Sequence, residues 1–103
     1  MAKRIVWTQA AWSDLEGVAD FIAQDSPYYA ASLVREIRRY ARSLSRLSMR
    51  GHVVPEIGDK TIRELIIQSY RLIYKVEGSR VAILGIVHGA RDLKSLWARR
   101  SRE

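Results

Sequence analysis

Arg71 and His88 are the two side chains of this 103-residue chain whose types and spacing best suit chemistry. A guanidinium is a permanent cation with a fork of donors that fits phosphate or carboxylate. An imidazole takes and gives a proton near neutrality. Counting along the strands that carry them makes the two diagonal neighbours on one sheet face, about 7–8 Å apart at Cβ. A second candidate set is Arg35, Arg38, Arg39, Arg42 and Arg46, which fall in one narrow stripe at about 100° per residue. Such a stripe can hold nucleic acid. It can equally be a solvated face, because arginine is a good helix former whose stem covers apolar surface. Thiol and disulfide chemistry are excluded by the absence of cysteine, which fits a reducing cytoplasm. His52 and His88 are well separated and make no metal cluster, so neither a metal nor a cofactor is expected.

The stretch that must position the pair runs from Glu64 to Arg91. It is rich in Ile, Val, Leu and Tyr, residues that fit a pleated, half-buried surface. Gln68-Ser69 and Gly78-Ser79 read as two-residue turns, giving two successive hairpins and a three-stranded antiparallel sheet. With those turns Ile67 faces Tyr70, Ile66 faces Arg71 and Glu64 faces Ile73. Across the second turn Val76 faces Val81, Tyr74 faces Ile83, Ile73 faces Leu84 and Arg71 faces Ile86. Alternation then sorts the side chains. Leu65, Ile67, Tyr70, Leu72, Tyr74, Val76, Val81, Ile83 and Val87 share an uncharged face that must be covered. Glu64, Ile66, Arg71, Ile73, Lys75, Ala82, Leu84, Ile86 and His88 share a mixed face, where function is sought.

The rest of the chain supplies the cover. Lys3 to Trp7 reads as a short edge strand. Thr8 caps a helix from Gln9 to about Gln24, with Ala11, Leu15, Val18 and Ile22 on its apolar face. Ser26 caps a second helix, Pro27 opens it, and it runs to about Leu47. Ala30, Leu33, Val34, Ile37, Ala41 and Leu44 are its apolar side. The short link makes the two helices an antiparallel hairpin. Gly51, Pro55 and Gly58 break up residues 48–60, where Val53 and Val54 can add a short strand. A short helix from Asp92 to about Arg99 follows, with Leu93, Leu96 and Trp97 on one side. The expected fold is α+β, one domain over residues 1–103. An N-terminal strand and a helical hairpin pack on a three- to four-stranded antiparallel sheet, with a short C-terminal helix. The first apolar run is only Ile5-Val6-Trp7, so no secretory leader is expected, and no run approaches the roughly 20 residues that span a bilayer. The formal net charge is +7, and residues 26–50 hold six arginines against Glu36 alone. That balance implies an acidic partner, either nucleic acid or protein.

The strand, the arginine-containing hairpin, RELIIQSYRLIYKV, the glycine turn, VAILGIVHGARDL and the basic tail together resemble the RelE/ParE superfamily of bacterial toxins. The resemblance covers nearly the whole chain. Its most specific parts are YRLIYKV and the strand ending His88-Gly89-Ala90-Arg91. It implies the toxin half of a type II toxin–antitoxin (plasmid stabilisation) module, held in a hetero-oligomer by a small acidic antitoxin. The branches of the superfamily differ in target. RelE- and YoeB-like members cut messenger RNA on the ribosome, whereas ParE-like members bind and poison DNA gyrase.

Under the nuclease reading Glu56 is the base for the 2′-OH, His88 the acid for the leaving oxygen and Arg71 the phosphate clamp. Lys60 and Arg63 lie where RelE-like members carry basic residues. Nuclease members carry a tyrosine beside or near the histidine, and here Gly89 and Ala90 follow it. HGARDLKSLWARR is instead similar to the C-terminal helix of ParE-like toxins, so Arg91, Leu93 and Trp97 become target contacts. The resemblance therefore implies gyrase inhibition first and ribosome-dependent mRNA cleavage second. A small basic nucleic-acid-binding domain is the third reading. The plainer reading of the sheet residues is a hydrogen-bonded histidine at a strand end and an Arg71–Glu64 salt bridge.

Overall fold

Thr8 sets the first joint of the structure. In the computed structural model, which describes residues 2–89 and 93–100, its hydroxyl accepts from the Ala11 amide and donates to the Ile83 carbonyl at 2.8 Å. One side chain thus caps a helix and ties it to the sheet. The strand before it is β1 (Arg4–Trp7) and the helix is α1 (Gln9–Ala23). Ser26 caps α2 (Pro27–Ser43) in the same way, with proline at the first helical position. The expected helix starts, the short link and both apolar faces are present. The second helix ends at Ser43, not near Leu47, because the chain turns there to meet β1. The Lys3 amide donates to the Ser45 carbonyl at 2.8 Å, and the Ser45 hydroxyl donates to the Lys3 carbonyl at 2.7 Å.

The sheet has five strands, where three to four were expected, and it is mixed, not wholly antiparallel. Its order is β1-β5-β4-β3-β2, with β2 His52–Val53, β3 Ile62–Ile67, β4 Tyr70–Glu77 and β5 Arg80–His88. Two helices and three strands separate β1 from its sheet neighbour β5; the two lie parallel, and the other pairs are antiparallel. The β3–β4 pairing is the expected one, including Ile67–Tyr70, Ile66–Arg71 and Glu64–Ile73. Its turn holds Gln68 at φ 55°. Two bonds fix that left-handed residue: its amide oxygen accepts from the Tyr29 hydroxyl, and its nitrogen donates to Glu36 at 3.2 Å.

The β4–β5 pairing begins as expected, with Val76 opposite Val81 and Tyr74 opposite Ile83. It then shifts by one residue. Ile73 lies opposite Gly85 and Arg71 opposite Val87, not Leu84 and Ile86. Leu84 is the extra residue of a β-bulge, and every side chain beyond it changes face. The bulge is pinned from above, because the Ile86 amide donates to the Asp14 carboxylate of α1 at 2.9 Å.

The swap decides both cores. Ile86 joins Leu65, Ile67, Leu72, Tyr74, Val81 and Ile83 beneath the helices. Val87 joins Val54, Ile62 and Ile73 on the far side, with Ile57 and Leu84 packed against them. The far face is therefore partly covered, by the 54–62 loop and by α3 (Leu93–Arg100), whose Leu93 is buried in that cluster. The proposed helix start at Asp92 and the side chain of Leu96 lie outside the described residues.

Candidate functional site

Arg71 is held by two carboxylates. Its Nε donates to Glu64 Oε2 at 2.8 Å and its Nη2 to the same oxygen. Its Nη1 and Nη2 donate to the two oxygens of Glu56 at 2.8 and 2.9 Å. The elements make this unavoidable. Glu64 on β3 and Arg71 on β4 point to the same face in adjoining pairs, and the 54–62 loop folds back so that Glu56 closes the fork. Arg71 and Glu64 are buried, each 8% exposed. Guanidinium hydrogen bonding holds the Glu56 carboxyl down at about 2, against a usual 4.5, with burial opposing it. The same bonds push the Arg71 pKa further up. With both carboxylates ionised the triad carries one net negative charge. It presents no free fork to a phosphate, and the nearest fixed charges repel one.

His88 lies elsewhere. The expected diagonal contact with Arg71 is absent because the bulge turns His88 to the helix side, opposite Tyr70. The two rings meet edge to face, with centroids 5.5 Å apart. The structure thus brings Glu56 and Arg71 together, bonded to each other, and leaves His88 across the sheet from them. The expected Arg71–Glu64 salt bridge is present.

The remaining candidates divide between framework and surface. Arg63 Nη1 donates to the Gly51 carbonyl at 2.9 Å and its Nε to the Lys60 carbonyl at 3.1 Å, so it braces the loop. Lys60 is exposed at the end of that loop. Leu93 is buried and Trp97 half-buried against the far-side cluster. Arg91 lies outside the described residues. Among the described residues no group of three or more His, Asp or Glu could hold a metal ion, and no helix is long and apolar enough to cross a membrane.

Sequence reasoning missed Asp14, which receives the Ile86 amide at the bulge, and Tyr70, whose ring meets His88. The available signal was Gly85, an isolated glycine inside a strand pattern, which is a mark of a bulge. It also missed the fit of Tyr74 to Gly51. The Tyr74 hydroxyl donates to the Ser48 carbonyl at 2.8 Å and accepts from the Gly51 amide at 3.0 Å. A Cβ on Gly51 would stand 2.6 Å from both that hydroxyl and the Glu64 carbonyl, so only glycine fits.

Comparison with known proteins agrees with this architecture. The family model described as the ParE toxin of the type II toxin–antitoxin system parDE matches residues 5–93. Toxin RelE2 of Caulobacter vibrioides is 34% identical over 89 residues, spanning 85% of this chain and 97% of that protein. Among solved structures, the chromosomal ParDE system of P. aeruginosa superposes with a TM-score of 0.70 at 22% identity. That match covers 84% of this chain and 96% of the other. The RelBE2 toxin–antitoxin complex of Mycobacterium tuberculosis gives 0.63 at 21% identity, over 88% and 95%. At those identities the structural matches speak for the fold.

Proposed function

The chain belongs to the ParE toxin family of type II toxin–antitoxin systems, and from that premise we propose that it arrests growth by ParE-like inhibition of DNA gyrase in the cytoplasm, unless a small acidic antitoxin holds it. The antitoxin follows from the family and suits a chain of net charge +7. The observation that carries the choice of target is the closed Arg71 triad. RNA cleavage needs a free cation on the phosphate with a proton donor close by. Here the cation is spent on Glu56 and Glu64, and His88 projects from the other face. Under the gyrase reading the target contacts are Arg91 and Trp97 of the C-terminal segment, with Lys60 and Arg63 as further basic contacts, while Leu93, buried in the far-side cluster, acts by seating α3.

One observation favours a second reading. Tyr70 sets an aromatic ring against His88, in place of the tyrosine that Gly89 and Ala90 do not supply. An mRNA interferase of the RelE kind would then work from the Tyr70–His88 end of the sheet, with Arg71 and Glu56 as framework.

Pulse-labelling of DNA and protein synthesis minutes after inducing the chain without its antitoxin separates the two. The gyrase reading expects DNA synthesis to fall first while translation continues. An immediate fall in translation would move the assignment to mRNA cleavage.

A further inference from the structure

The exposed side of α2 carries Arg35, Arg38, Arg39 and Arg42, which line one groove together with Ser32 and Glu36. Among the described residues the ion pairs engage Arg71 and Arg80, and none of these four arginines has a carboxylate partner. Glu36, the one acid in the groove, is drawn towards the β3–β4 turn by Gln68. Arg38 lies over the Trp12 ring at 6.0 Å from its centroid, and Arg39 over the Tyr40 ring at 5.9 Å. Those contacts pre-align two of the four side chains. We propose that this face of α2 binds the phosphate backbone of duplex DNA without reading its sequence.

Three features favour that occupant. The helical rise sets Arg35 and Arg42 about 10 Å apart along the axis, rigidly, while one DNA strand offers a phosphate every 3.4 Å or so of its axis. A protein partner would want an apolar centre ringed by polar groups, and this groove has no apolar lining residue. Single-stranded nucleic acid is held by stacking its bases on open aromatic faces. Here Arg38 lies over Trp12, and both Arg39 and Arg50 lie over Tyr40. The proposal does not depend on gyrase being the target, since it concerns the surface and DNA alone.

The test is fluorescence anisotropy of a short labelled duplex of arbitrary sequence with the antitoxin-free chain across a salt series. Four phosphate contacts predict that affinity falls about 100-fold between about 50 and about 200 mM salt. The variant Arg35→Gln/Arg42→Gln should weaken low-salt binding at least about tenfold and reduce the salt slope by about 2. A control double, Arg4→Gln/Lys94→Gln, removes two exposed cations from other elements and should leave binding within about twofold. All four side chains are exposed, and an unchanged melting temperature shows that the fold is intact. Equal losses in both doubles would mean that bulk charge alone attracts DNA, and the assignment to α2 would fall. It would fall likewise if wild type bound no duplex, or bound a single strand of equal length as tightly. Tighter binding of poly-glutamate than of duplex would assign the groove to an acidic polypeptide instead.

Discussion

Replacing Arg71 by alanine leaves Glu64 buried at 8% exposure with no cation, beside a second carboxylate. Stranding a buried charge in this way costs about 3–5 kcal/mol, so Arg71→Ala should lower the urea midpoint sharply or leave the chain unfolded. Glu56 is different, because a third of its side chain is exposed. Glu56→Gln should cost about 1 kcal/mol or less at neutral pH. Its pH dependence is the sharper check. The Glu56 carboxyl sits at about 2 in the folded chain, below its usual 4.5. Its contribution is therefore complete above about pH 4.5 and is lost as the pH falls towards 2. The stability gap between wild type and Glu56→Gln, followed by denaturant titration, should close over that window. A gap that held constant from pH 6 to pH 2 would remove Glu56 from the triad. Single residues were also where the sequence was most easily misread. Arg71 and Glu56 have the types a nuclease needs, and their spacing in sequence says nothing of their being bonded to each other.

At the scale of elements the helices were legible and the last strand was only half so. Thr8, Ser26 and Pro27 are local signals with local consequences, and helical spacing named both apolar faces correctly. The two turns fixed the β3–β4 register and the first half of β4–β5, because a two-residue turn leaves little freedom in pairing. The bulge at Leu84 was out of reach of that counting, since it depends on a carboxylate of α1 receiving the Ile86 amide. This gives a direct prediction. Asp14→Ala strands that amide under a helix and should cost about 1–3 kcal/mol, with faster hydrogen exchange at Ile86. Native exchange at Ile86 in the variant would mean the bulge holds without Asp14. The Tyr74 hydroxyl makes a comparable tie, joining β4 to the 48–51 loop. Tyr74→Phe should lose about 1–2 kcal/mol in thermal or urea unfolding with the fold retained.

At the scale of the molecule the fold separates framework from surface. The Arg71 triad, Arg63 and Leu93 hold the 54–62 loop and α3 against the far side of the sheet. Among the described residues most basic side chains are exposed, which leaves their charge available to partners. Co-expression with its own antitoxin should therefore yield a tight complex. The added stability grows with partner concentration, about 4 kcal/mol at a thousandfold excess over Kd. A melting temperature independent of antitoxin concentration would contradict it.

Growth arrest by gyrase inhibition, as proposed, needs no His88–Arg71 chemistry. The most direct measurement is ATP-dependent supercoiling of relaxed plasmid by gyrase, titrated with the purified antitoxin-free chain and with its His88→Ala variant. Both are expected to inhibit supercoiling with the same midpoint. Full supercoiling at saturating, folded wild-type chain would contradict the gyrase reading, and the Tyr70–His88 end of the sheet would then become the place to look for activity.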